Sequence, residues 1–252
     1  MKRLFGAIVV GILLGAFACA QQQPGTLAAL EFQTPKTGMV SQYEQGRKQK
    51  AAWHKQQNDP QPLLVWEILS GENTGTYIVG RTGQHWADLD KPSVAEAADL
   101  AEYNKEIGQY VGSLVTRYYD YMPKVSNLNM SGTPSKFSEV QIFHVKIGHE
   151  SDFQAAIARV SAAIEKTKWP SEAGWYSLVN GGRFGEFVLV LPHKSWADFE
   201  DKPDMKPFRD MIKEGLGQAE SDAVMRMFDT SIEGGMTEII EFRQDLSYLP
   251  GK

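Results

Sequence analysis

The chain says nearly the same thing twice. Trp86-Ala87-Asp88-Leu89 returns as Trp196-Ala197-Asp198-Phe199, an offset of 110 residues. Held in that frame without a gap, Tyr77-Ile78-Val79 falls on Phe187-Val188-Leu189, Gly71 and Gly75 fall on Gly181 and Gly185, Pro60 on Pro170 and Gly38 on Gly148. Matched turn glycines, aromatics and apolar runs in one register mark an internal duplication, so any fold for this chain must be built from two copies of one unit. A length of 252 residues leaves room for two units of about 110 each.

The boundaries follow from composition. Lys2 and Arg3, the apolar run to Phe17 and the small residues Ala18-Cys19-Ala20 read as a signal peptide over 1–20. Cys19 leaves open a lipoprotein reading, but Ala16-Phe17-Ala18 is a poor acylation motif. Simple cleavage implies an exported chain, periplasmic or secreted, with no cysteine and no stable membrane insertion after processing. Residues 21–28 read as a flexible lead-in, 29–130 as the first half, 131–137 (Ser-Gly-Thr-Pro-Ser at its start) as a linker and 138–252 as the second half. A net charge of −5 with no basic cluster argues against nucleic acid.

Within each half the pattern predicts β-α-β-β-α-β. In the first half these are a strand near 30–33, a helix over 39–57, strands over 63–69 and 76–81 around the 71–75 hairpin, a long helix over 93–118 and a weak strand near 125–130. In the second they are a strand over 140–147, a helix capped by Ser151 or Asp152, strands over 175–179 and 186–191, a long helix over 207–228 and a strand over 237–242. This is the split βαβ, ferredoxin-like arrangement. Its helices cover one sheet face only, so the bare apolar faces of the two halves should pack sheet against sheet. The expected class is α+β, two tandem ferredoxin-like βαββαβ units forming a pseudo-dimeric α/β barrel.

Element order and the repeated W-A-D-[LF] after the third strand resemble the dimeric α/β-barrel superfamily, over nearly the whole chain beyond 1–20. The resemblance implies a central barrel; its members include cofactor-free monooxygenases, haem-handling enzymes, isomerases and many proteins of no known role, so it does not imply one activity.

The candidate chemistry lies where the halves differ. Positions that carry Phe153, Ile157, Val160 and Ile164 in the second half carry Tyr43, Arg47, Lys50 and His54 in the first. Either the first helix is rotated, contacting through Met39, Tyr43, Ala51 and Trp53, or Arg47 and His54 face a cavity and an oxygen-rich ligand. Alternation along 140–147 puts His144 with Ile142 on the barrel-facing side, and Glu67, with Val65 and Leu69, is a candidate for the same cavity. His144 and His54 are the candidate acid–base residues, and His144, Glu67, Arg47 and His54 the candidate ligand contacts. Trp86 and Trp196 read as packing under the long helices, with Asp88 and Asp198 serving loose N–H groups. No H-E-x-x-H, C-x-x-C, P-loop or G-x-S-x-G occurs, so neither metal nor cofactor is called for. The expectation is an exported protein holding a small, largely apolar ligand between its halves, with no oligomer required by the fold. The alternatives are a cofactor-free monooxygenase or isomerase with an interior histidine, and a non-catalytic structural or interaction module.

Overall fold

The structure, a computed structural model, describes residues 25–130, 132–200 and 203–251; the proposed signal peptide and Cys19 lie outside them. The first half runs β1 (Leu27–Pro35), α1 (Val40–Gln56), β2 (Leu64–Ile68), β3 (Tyr77–Gln84), α2 (Glu96–Glu106) and β4 (Val111–Tyr121). The second runs β5 (Phe137–Val145), α3 (Glu150–Thr167), β6 (Gly174–Asn180), β7 (Glu186–His193), α4 (Phe208–Leu216), α5 (Gln218–Ser231) and β8 (Ile232–Phe242). Each half orders its strands alike, β4-β1-β3-β2 and β8-β5-β7-β6, and antiparallel pairing of β2 with β8 and of β4 with β6 closes an eight-stranded barrel. Two tandem ferredoxin-like units thus form a pseudo-dimeric α/β barrel. Closure satisfies strand edges that open sheets would leave bare.

The 110-residue frame holds in three dimensions. Gly71 and Gly181 both have φ of +92°, and Gly75 and Gly185 have +83° and +73°, so the two hairpins make the same turn with residues that accept a left-handed backbone. Trp86 and Trp196 each open a short 3₁₀ turn, with Asp88 accepting from the His85 N–H and Asp198 from the Ser195 N–H. Neither tryptophan lies under a helix; both are about half exposed, Trp86 against Tyr118 and Trp196 against Phe137.

Three local expectations are corrected. The apolar stripe read as one helix over 93–118 is α2 followed by β4. Val111, Val115, Thr116 and the Tyr118, Tyr119, Tyr121 aromatics favour a pleated strand, which pairs with β1 from Leu27↔Asp120 to Pro35↔Val111. No strand forms over 125–130. The long helix over 207–228 is two helices, α4 and α5, meeting at Gly217. In addition β1 starts at Leu27, inside the stretch read as lead-in, and β5 starts at Phe137.

Inside the barrel, Ile68, Ile78, Tyr119, Val140, Ile142, Val188 and Ile240 form one apolar cluster, with Phe32, Trp66, Tyr176 and Met236 packed against it. No helix residue contributes to it. The outer faces pack separately: Val65, Tyr77 and Val79 against Tyr43 of α1, and Val145, Trp175 and Phe187 against Phe153 and Ile157 of α3. Above α3, Ala156, Val160 and Ala163 meet Met211, Ile212 and Val224 of α4 and α5. The first half has only the 11-residue α2, with no buried residue, where the second has helices of 9 and 14 residues. That deficit leaves space beside α1, over the outer face of the first sheet. The tail past β8 returns to the first half: Leu246 is buried with Tyr43 and Val65, and Leu63 pairs with Tyr248. No described helix is long and apolar enough to cross a membrane.

Candidate functional site

Helix α1 has no internal proline, and its one glycine, Gly46, is where α2 approaches: a Cβ there would stand 2.1 Å from the Glu106 carbonyl oxygen. Tyr43, Arg47, Lys50 and His54 form its inward stripe, all at most 3% exposed. The helix is therefore not rotated; it buries Arg47, Lys50 and His54 at the places where α3 carries Ile157, Val160 and Ile164. Tyr43 packs directly on the outer surface of the first sheet, and Arg47, Lys50 and His54 face that surface across a cavity of about 490 Å³. This lies outside the barrel, under α1 and α2, and not between the two sheets.

Each charged group is handled differently. Arg47 donates from Nε to the Tyr43 hydroxyl (3.1 Å) and from Nη2 to Gln33 Oε1, which also accepts from the Tyr43 hydroxyl (3.0 Å). Lys50 Nζ donates to the Asp99 carbonyl (2.7 Å) and carboxylate (2.8 Å) on α2, and lies 4.1 Å from the Trp53 ring centroid. Burial lowers the Lys50 pKa from its ordinary value.

His54 sits at the end of α1, 2.9 Å through Nδ1 from Asp59 Oδ2. Asp59, 1% exposed, also accepts from Arg81 Nη2 (2.9 Å) and the Gln61 N–H (3.0 Å). Burial works to raise the Asp59 pKa, but these bonds and one to Ser93 outweigh it and hold the pKa below the usual value. An ionised carboxylate only accepts, so Nδ1 carries the hydrogen and neutral His54 has its lone pair on Nε2. Nε2 is buried without a hydrogen-bond partner; Asp99 Oδ1 stands 3.4 Å away. Burial first, then the Lys50 charge, lowers the His54 pKa, so the imidazole stays neutral at neutral pH. The tail contributes as well: the Tyr248 ring stacks on His54 at 5.7 Å and its hydroxyl donates to the Asp59 carbonyl at 2.6 Å.

The other wall is apolar. Leu89, Leu100 and Leu114 line the cavity with 41%, 56% and 43% of their surface exposed, beside Tyr118. Exposed leucines around a buried polar floor suit an amphipathic ligand. Lys50 and Arg81, both charged toward His54, oppose a metal cation at Nε2, and Asp99 occupies the approach. The arrangement does not fit an axial haem ligand, whereas an anion formed beside Nε2 is favoured. Among the described residues no group of three or more His, Cys, Asp and Glu is placed to hold a metal ion.

The remaining candidates lie elsewhere. His144 does face the barrel interior, at its mouth, with Nε2 3.9 Å from Glu186 Oε2 and Nδ1 accepting from Arg183 (3.2 Å). Glu186 accepts from the buried Tyr119 hydroxyl (2.8 Å). In the first half the same cross-strand positions hold Thr34 and Thr76, hydroxyl to hydroxyl at 2.8 Å. His144 does not join Arg47 and His54 at one end of the barrel, because their strip of α1 lies over the outer sheet face. Glu67 is on the outer face too, 2.5 Å from Arg243 Nη1, which also binds Glu44. It does not face the cavity expected for it: Val65, on the same side, packs under α1. Asp59, Arg81, Asp99 and Tyr248 were missed. The signal for Asp59 was its place opposite Trp169 in the duplicated frame.

No family model and no curated protein matches the chain. Solved structures do. An anthrone oxidase-like protein aligns with a TM-score of 0.53 at 13% identity, covering 90% of this chain and 94% of its own. A candidate monooxygenase from Lactobacillus acidophilus NCFM aligns at 0.52 with 8% identity, covering 90% and 97%. A mutant chlorite dismutase from Candidatus Nitrospira defluvii, solved with cyanide, aligns at 0.50 with 11% identity, covering 89% and 93%. At such identities the likeness is one of fold, and the strand order agrees with it: the chain is a dimeric α/β barrel made from two tandem copies within one polypeptide.

Proposed function

We propose that the outer cavity of the first half binds a small organic molecule with an apolar body and an acidic O–H or enolisable C–H, and that His54 takes that proton. The observation that carries this is the buried Nε2 of His54, without a hydrogen-bond partner and covered by Asp99 at 3.4 Å, in a ring backed by Asp59 at 2.9 Å beside a cavity of about 490 Å³. Asp59 fixes the tautomer and steadies the imidazolium that forms. The bond to hydrogen breaks, Nε2–H forms, and the electron pair stays on the ligand as a phenolate or enolate, next to the Lys50 charge. Asp99 covers Nε2 and has to swing aside to admit the ligand. It sits on α2, which buries no side chain of its own; the swing gives up the carboxylate bond to Lys50, whose bond to the Asp99 carbonyl stays. Return of the proton to another carbon is an isomerisation. Fold neighbours described as an anthrone oxidase-like protein and a candidate monooxygenase make aromatic ketones and phenols the first compounds to try.

A second reading, binding without chemistry, is favoured by the Asp99 cover over Nε2. The absorption of bound 2-naphthol separates the two. Proton transfer predicts the red-shifted naphtholate band at a pH where free naphthol is protonated, and its loss in His54→Gln. A bound, fully protonated naphthol supports the second reading. Export belongs to the same proposal, on Lys2, Arg3 and the apolar run that follows; a mature N-terminus at Gln21 would support it, and an acylated Cys19 would contradict it.

A further inference from the structure

Arg47 is 3% exposed, and the partners described for it are all neutral: Gln33, the Tyr43 hydroxyl, and the rings of Tyr43 and Tyr103 at 5.4 and 6.0 Å from Cζ. Lys50 has Asp99, Arg81 has Asp59 and Arg243 has Glu67; no ion pair to Arg47 occurs among the described residues. Glu31 of β1 also lines the cavity, but its carboxylate accepts from Gln33 Nε2 at 2.5 Å and is linked to Arg47 through that amide, with no ion pair between the two. A buried guanidinium without a counter-charge is costly, and it is tolerated where a ligand supplies the charge. The second half puts Ile157 there, packed with Val145, Phe153 and Phe187.

We propose that Arg47 is the carboxylate-reading residue of the cavity, and that the ligand class is a small, mainly apolar carboxylic acid. Its remaining guanidinium hydrogens offer a planar donor edge of the kind that carboxylates engage. Arg47 and His54 are seven positions apart on one helix face, roughly 10 Å along the axis at the usual helical rise. The carboxylate therefore sits about that far from the proton His54 takes, and the apolar body between them lies along Leu100 and Leu114. This deepens the reading of the cavity given above, since it names the ligand's other end.

The probe is 6-hydroxy-2-naphthoate, a rigid molecule with its carboxylate and acidic hydroxyl at opposite ends, compared with 6-hydroxy-2-naphthamide by calorimetry. Wild type is expected to bind the carboxylate at least tenfold more tightly than the amide, and Arg47→Met to lose that preference. In the absence of probe Arg47→Met is expected to melt at or above the wild-type temperature, because an uncompensated buried charge is gone. As a second readout needing no variant, the Arg47 Nε–H NMR signal of wild type should move on carboxylate addition and not on amide addition. Equal affinities for carboxylate and amide in wild type, or an Arg47→Met preference unchanged from wild type, overturns the inference. Carboxylate preference retained in His54→Gln, with naphtholate absorption absent even from wild type, would leave Arg47 its role and remove the proton-transfer reading instead.

Discussion

His54 and Asp59 meet at 2.9 Å in the first half, at positions that the duplicated frame fills with Ile164 and Trp169 in the second. One copy of the unit packs its first helix with apolar side chains against the sheet and two further helices. The other leaves a cavity there and lines it with charge. Function in a duplicated fold is expected where the copies stop obeying the same core demands.

The pair is buried and ion-paired to Arg81, whose side chain is 18% exposed, so breaking it should be severe. Asp59→Asn removes Arg81's counter-charge and leaves one oxygen where two accept from His54, Arg81 and the Gln61 N–H. A loss of about 3–5 kcal/mol is expected, the usual cost of leaving a buried charge uncompensated, measured by urea unfolding. An effect below about 1 kcal/mol would mean that the site is solvated.

Stability should depend on pH through His54. Its folded pKa lies below the ordinary histidine value, so between those two values the unfolded chain binds more protons than the folded one and stability rises with pH. Acidification through about pH 6.5, the unperturbed histidine value, should therefore begin to destabilise the protein. Melting temperatures from pH 7.5 to pH 5 should fall for wild type and fall less for His54→Gln; parallel curves would contradict the assignment.

The tail is part of the site. Tyr248→Phe removes one bond to the Asp59 carbonyl and should cost on the order of 1 kcal/mol, while Leu246→Ala, at a position 2% exposed, should cost about 2–5 kcal/mol. Both should weaken probe binding at the cavity, although the sequence places them at the far end of the second half. Unchanged binding would detach the tail from the site.

His144 gives the opposite expectation. Its side chain is 16% exposed, and its bonds are to Arg183 and a distant Glu186 carboxylate. His144→Phe should change stability by less than about 1 kcal/mol and leave cavity binding untouched, as for other partly exposed polar contacts. A loss of binding would return the function to the barrel interior.

The fold was legible because a period of 110 residues constrains both halves at once, and the Gly71–Gly75 and Gly181–Gly185 hairpins locate the strands on either side. The site was half legible: the contrast between Arg47, Lys50, His54 and their apolar counterparts marked the right stripe of α1. It did not reveal which compartment the stripe faces, because that depends on the missing counterpart of α4 and α5, and β4 was hidden by an apolar spacing that suits a helix as well. Glu67 was misplaced because Val65, read as barrel-facing, is covered by Tyr43. Tyr248 was out of reach, since nothing local in Ser247-Tyr248-Leu249 says that the tail crosses to the other half.

Nitrogen-15 NMR of the His54 imidazole tests the central claim most directly. At pH 7.5 the account predicts a neutral ring with hydrogen on Nδ1 and a bare Nε2, converting to imidazolium only below the ordinary histidine range, and Asp59→Asn should disturb that tautomer. A doubly protonated ring at pH 7.5, or hydrogen on Nε2 with Nδ1 bare, would contradict it.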